Sequence, residues 1–222
     1  MFWHRHRHRL RLRPSGRAPL RLQLTALLFA FLIVPNAASG ASGFDHRLNR
    51  DESGIWSRDN QEILRLALIG AVLGGSVVEG TESRLGLTFW RATEAATIEM
   101  ASVALLKRGF SRARPRQGND PDLWFQGRGY QSFPSDEVAL AAAVVTPLIR
   151  EYGPDHPAVW SLSLIPTYVG IARMKSQAHW QTDVVAAVGI GVALGLLAGQ
   201  RERPLFFALT GGSAFVGLRY RW

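Results

Sequence analysis

Five apolar segments, at roughly 61–79, 89–107, 136–151, 157–171 and 182–199, constrain the fold of this 222-residue chain more than any other feature. They read as helices joined by polar turns and loops. Most are interrupted: Arg65 and Glu79 punctuate the first, Glu94 and Glu99 the second, and Pro166 stands in the fourth. Only the last is unbroken, and it carries Gly189, Gly191 and Gly195 at spacings that let helices approach closely. The expected fold is all-α, a helical bundle of about five to six core helices within 43–203. Its uninterrupted runs of about 13–16 residues fall short of the roughly 20 needed to cross a bilayer. Length therefore favours a soluble core, whereas the glycines and apolar content of the last segment favour a compact membrane bundle; both readings stand. From 204 the pattern changes to 206–210, a Gly211-Gly212-Ser213 turn and 214–222, a short C-terminal β-hairpin. One hairpin cannot close a membrane barrel.

The formal charge of +9 suggests nucleic acid until its placement is considered. Seven arginines lie within the first 21 residues, and 1–42 contains no acid; the remainder holds 19 basic and 17 acidic residues, a net of +2. A nearly neutral body excludes a nucleic-acid partner. The basic start, the apolar stretch 24–34 and the small residues 37–43 have the anatomy of an export signal, so 1–42 is expected to be a signal peptide. That expectation directs the protein to the cell envelope, either the periplasm or the inner membrane with a periplasm-facing site. The chain has no cysteine, which excludes disulfides, thiolate metal sites and a cysteine nucleophile.

Three clusters carry chemistry. Lys107-Arg108-Gly109-Phe110-Ser111-Arg112-Ala113-Arg114-Pro115 closes the second segment, and a basic helix C-terminus alone accounts for Lys107. Phe133-Pro134-Ser135-Asp136-Glu137 opens the third; helix capping explains its polar residues, and a helix N-terminus is also a natural phosphate seat. The third cluster runs from Arg173 to Asp183. Here His179 and Asp183 are four apart, so on a helix they share a face and can hydrogen-bond, leaving the other imidazole nitrogen free to attack. Between the first two clusters, the loop 108–133 holds Trp124, Phe125 and Tyr130, which with Trp180 either line an apolar pocket or pack the loop.

Taken together, Lys107-x6-Arg114-Pro115, Pro134-Ser135 and Arg173-x5-His179-x3-Asp183 resemble, in order and spacing, the three-part signature of the type 2 phosphatidic acid phosphatase superfamily. That superfamily also contains class A acid phosphatases and vanadium haloperoxidases. The resemblance covers about 77 residues and implies a phosphatase domain over 43–203. It implies that Lys107, Arg114, Ser135 and Arg173 bind phosphate, that His179 attacks phosphorus to give a phosphohistidine, and that Asp183 steadies the imidazole, with no metal or other cofactor. The expected substrate is a phosphomonoester or diphosphate, either a small molecule or lipid-linked, with membrane association in the second case.

Two departures matter. Ala172 stands where the family usually has serine, and Pro-Ser-Gly-His becomes Pro134-Ser135-Asp136-Glu137. Glu137 therefore occupies the position of the histidine that protonates the leaving group, a role that requires it to be protonated with substrate bound. Asp136 adds a negative charge beside an anion site. A non-catalytic envelope protein that keeps the fold and binds phosphate or lipid headgroups is the alternative.

Overall fold

Serine caps start the first two helices of the computed structural model, which describes residues 43–201 and the strand segments 206–210 and 213–217. The expected export signal lies outside the described residues. Ser57 accepts from the Asn60 amide to open α1, Arg58–Glu79, and Ser83 accepts from the Gly86 amide to open α2, Arg84–Phe110. Each bond satisfies an amide that the helix itself leaves unpaired. Helix α1 stops at Gly80, whose φ of 64° lies in the left-handed region that glycine tolerates best. The remaining helices are α3, Asp136–Tyr152; α4, Leu164–Lys175; and α5, Gln181–Gln200. Strands β1, Phe206–Thr210, and β2, Ser213–Gly217, pair antiparallel in the register Phe206↔Gly217 to Thr210↔Ser213.

Helix α3 is the hub. Every residue from Glu137 to Pro147 is buried, and α3 packs most extensively on α5, then on α2 and α4. One core cluster joins Val103 of α2, Val138, Ala139 and Ala141 of α3, Val169 of α4 and Ala187 of α5. Of Gly189, Gly191 and Gly195 in α5, two make the close approach expected of them. A Cβ on Gly191 would stand 2.3 Å from the Ala139 carbonyl oxygen, and one on Gly195 would stand 2.6 Å from Thr146 Cβ. Gly189 faces open space and takes no part in the contact.

The helices run longer than the apolar runs, because charged residues inside them are accommodated without ending the helix. In α2, buried Glu94 ion-pairs with Arg201. As a result α2 has 27 residues, and α1 (22 residues) and α5 (20 residues) are each long and apolar enough to cross a membrane. Helix α1 leaves Ile63, Leu66, Leu73, Val77 and Val78 exposed, an apolar face with no protein partner among the described residues. The fourth segment is shortened instead. Its first part, Pro157–Ser163, is a 3-10 helix, and Pro166 sits in the first turn of α4, where its missing N–H costs nothing.

Candidate active site

The three clusters meet where the C-terminal end of α2, the N-terminus of α3, and the turn between α4 and α5 converge. Gln177, with φ 53°, turns the chain sharply after α4 and brings His179 inward. His179 is 1% exposed. Its Nδ1 lies 2.6 Å from the Ser132 carbonyl oxygen, and since a carbonyl only accepts, Nδ1 carries the proton and donates it. Nε2 is thereby left with its lone pair, and it has no hydrogen-bond partner. Burial, reinforced by the Lys107 and Arg173 cations and opposed by Asp183, pushes the imidazole down to about 4, so it is neutral at pH 7.

This geometry corrects the expected direct bond to Asp183. His179 precedes α5 rather than lying on a helix, so four-residue spacing does not align the pair, and Asp183 Oδ2 remains 3.8 Å from Nδ1. Asp183, fully buried, is itself held by three donors: Arg112 Nη1 at 2.6 Å, Ser132 Oγ at 2.5 Å and the Trp180 amide at 2.8 Å. It thus caps α5 and supplies a fixed negative charge beneath the imidazole.

The cations form the opposite wall. Lys107 Nζ donates to the Gln131 carbonyl at 2.9 Å and reaches Asp136 at 3.3 Å. Arg114 and Arg173 are both pushed below the usual guanidinium range, first by burial; Arg116 adds to this at Arg114, and Arg58, opposed by Glu137, at Arg173. Such crowding of like charge favours binding of an anion. Arg173 donates to Gln61 Oε1 at 3.1 Å, and its Nε has no partner. Ser135 stands at the N-cap position of α3 but makes no capping bond; its buried Oγ is likewise free. A cleft of about 460 Å³ is lined by Arg58, Arg114, Arg116, Asp136, Glu137 and Arg173, among others.

Of the two unusual acids, Glu137 lies 2.6 Å from Arg58 and 3.7 Å from Arg173. Asp136 sits 4.0 Å from His179 Nε2. Burial pushes its carboxyl up, but Lys107, His179 and backbone donors outweigh this and hold it down at about 2.

Of the seven expected site residues, Arg114, Glu137 and Arg173 line this cleft, while Lys107 and His179 reach it through Asp136. Two supporting residues, Arg112 and Ser132, escape the sequence reading. Arg112 lies between two buried carboxylates, Asp45 at 2.7 Å and Asp183 at 2.6 Å, under the Trp124 ring. Ser132 serves both His179 and Asp183. Among the loop aromatics, Trp124 packs against Phe110 and Phe133, and Trp180 is buried and donates to the Ala113 carbonyl. Phe125 is 71% exposed, and Tyr130 lines a separate cavity of about 660 Å³ that Lys107 also reaches.

A buried neutral histidine, a fixed carboxylate and three cations thus meet at one end of the helical bundle, an arrangement chemically suited to holding a phosphate ester. The chain belongs to the PAP2 superfamily, whose family model matches residues 88–209. It is similar to a lipid A 1-phosphatase of Porphyromonas gingivalis, 30% identical over 93 residues, which is 41% of this chain and 18% of that protein. The chain thus aligns with under a fifth of that relative's length. Among solved structures it is similar to LpxE of Aquifex aeolicus, with 21% identity and a TM-score of 0.45 over 82% of this chain and 87% of that one. A transmembrane PAP2-type phosphatidylglycerolphosphate phosphatase from Bacillus subtilis gives 17% identity and the same TM-score, 0.45, over 79% and 93%.

Proposed function

We propose that this protein is a lipid phosphatase of the cell envelope, working from a membrane through a phosphohistidine on His179. The observation that carries the reading is the state of the imidazole: Nδ1–H is committed to the Ser132 carbonyl, and buried Nε2 is free. Lys107, Arg114 and Arg173 neutralise the phosphoryl oxygens, with Ser135 Oγ as a further donor. The Nε2 lone pair forms a bond to phosphorus, and the bond from phosphorus to the leaving oxygen breaks with its electron pair. The imidazolium so formed is stabilised by Asp183 beneath it, which Arg112, Ser132 and Trp180 hold in place. Water then releases phosphate and restores Nε2. Most of the acceleration comes from preorganised charge and position.

The lipid assignment draws on the two helices long enough to span and on the exposed apolar face of α1. The lipid phosphate specificity named for the relatives is consistent with it. A periplasm-facing orientation follows from the expected export signal. The test is release of phosphate from a lipid phosphate in detergent micelles by wild type and His179→Ala, with acid-labile radiolabelled phosphoenzyme as a second readout. Equal rates in the two proteins refute the nucleophile.

One observation favours the non-catalytic alternative. The Asp136 carboxylate, between Lys107 and His179 Nε2, sits where a phosphoryl oxygen belongs. Under the catalytic reading it swings aside as phosphate binds, which its 55% side-chain exposure allows. Asp136→Gly is then expected to tighten inhibition by inorganic phosphate about fivefold, the worth of one exposed ion pair. Under the alternative, that substitution creates hydrolysis where wild type has none.

A further inference from the structure

Asp183 would do little for the imidazole if its charge were cancelled where it sits. Arg112 Nη1 lies 2.6 Å from its Oδ1 and both side chains are buried, so that ion pair alone presents His179 with almost no net charge. A third buried group changes the balance. The carboxylate of Asp45, with no side-chain exposure, lies 2.7 Å from Arg112 Nη2. One guanidinium thus stands between two carboxylates. Two negative charges against one positive leave a net of −1 beside His179, away from solvent, where screening is weak.

Asp45 belongs to none of the three clusters. It is delivered by residues 44–51, which cross the turn between α4 and α5. His46 and Gln181 exchange hydrogen bonds at 3.0 and 2.9 Å, and Gln177 Nε2 donates to the Leu48 carbonyl at 2.8 Å. The Asp51 amide donates to the Lys175 carbonyl at 3.1 Å. Held in this way, Asp45 Oδ1 accepts from the Thr182 amide at 2.8 Å and Oδ2 from the Thr182 hydroxyl at 2.6 Å. Those two bonds suffice to fasten the segment to the start of α5. They do not account for a buried guanidinium shared with the carboxylate that serves His179.

We propose that Asp45 is a positioning residue for the attack by His179: it occupies Arg112 and so leaves the charge of Asp183 to act on the imidazole. This rests on the phosphatase reading above. As Nε2 bonds to phosphorus the ring gains a full positive charge, which the Lys107 and Arg173 cations oppose. A net negative charge beneath the ring favours that change, and the benefit falls on the chemical step rather than on binding. Phosphate, an anion, binds while the ring is still neutral and gains nothing from a further buried carboxylate. Asp45 therefore speeds the step without strengthening the hold on phosphate.

Asp45→Asn removes the charge and keeps the size. The full chain is placed in excess over radiolabelled phosphatidic acid in detergent micelles, and a single turnover is followed. At saturating enzyme the plateau rate constant reports the chemical step and does not depend on the fraction of protein that is folded. At an effective dielectric of about 20, a unit charge one guanidinium beyond Asp183 is worth about tenfold in a step that creates charge, so the plateau is expected to fall about tenfold. Inhibition by inorganic phosphate is expected to stay equal or to tighten. Thr182→Val removes the hydroxyl that Asp45 accepts from and is expected to keep the plateau within about twofold of wild type, because all three charges remain. An Asp45→Asn plateau no lower than that of Thr182→Val overturns the proposal, as does weaker inhibition by phosphate. No product from Asp45→Asn marks a residue of folding alone and also overturns it. Each of these outcomes leaves the phosphatase reading intact, whereas a wild type that releases no phosphate overturns both.

Discussion

Lowering the pH from 7 to 4 tests the buried neutral state of His179 directly. The imidazole titrates near 6.5 in an unfolded chain and is held at about 4 in the folded protein. Between those values the unfolded chain binds the proton more readily, so acid favours unfolding. The cost is absent above pH 6.5, reaches about 2 kcal/mol at pH 5, and approaches about 3 kcal/mol near pH 4 and below. Asp136 acts in a different window. Its carboxyl, held at about 2, contributes stability that is lost as pH falls from 3.8 towards that value, below the range of the test. The assay is chemical unfolding in detergent at intervals from pH 4 to 7, comparing wild type with His179→Gln, whose side chain does not titrate. The difference between the two proteins should rise with pH over 4–6.5 and then level off. The same neutral Nε2 predicts that kcat/KM keeps its nucleophile down to about pH 4. Parallel stability curves for the two proteins refute a buried neutral imidazole, and the mechanism built on its lone pair falls with it.

Other substitutions probe the scaffold. Arg112→Leu leaves two fully buried carboxylates, Asp45 and Asp183, without their cation, and is expected to cost about 3–5 kcal/mol in chemical unfolding. Gly191→Ala forces a methyl group to within 2.3 Å of the Ala139 carbonyl oxygen and is expected to destabilise by about 1–3 kcal/mol. Gly189→Ala, on the open side of the same helix, should instead stabilise by about 0.5–1 kcal/mol, and a thermal shift of the same sign for both glycines would refute the α3–α5 packing.

The helices were legible because each buries enough apolar side chain to reveal itself, and the ends α1 and α2 gained over the sequence reading lie where serine caps, not hydrophobicity, decide. Ser83 starts α2 five residues ahead of the apolar run that marks it. Interruptions by Glu94 and Glu99 misled in the opposite direction. A charged residue is an apparent helix breaker in an apolar window, but Glu94 meets Arg201, about a hundred residues away, and no local pattern reports that pairing. The extent of α2 therefore could not be read from local hydrophobicity alone.

The site divides along a similar line. Groups proposed to touch phosphate were readable because such chemistry fixes both type and spacing: Lys107, Arg114, Arg173 and His179 are residue types with few alternatives for holding and attacking an anion. Groups that act through another residue are not constrained in that way. Any carbonyl in the right place can take the Nδ1 proton, and here Ser132 supplies it from a loop with no motif of its own. Arg112 is equally silent, since its partners Asp45 and Asp183 are 67 and 71 residues distant. The case of Glu137 is sharper still. Its residue type suggested a proton donor by analogy with the histidine it replaces, yet what a carboxylate does is set by its neighbours. Arg58, on a helix that carries none of the three clusters, stands 2.6 Å from Glu137, a contact that no spacing in the sequence reports.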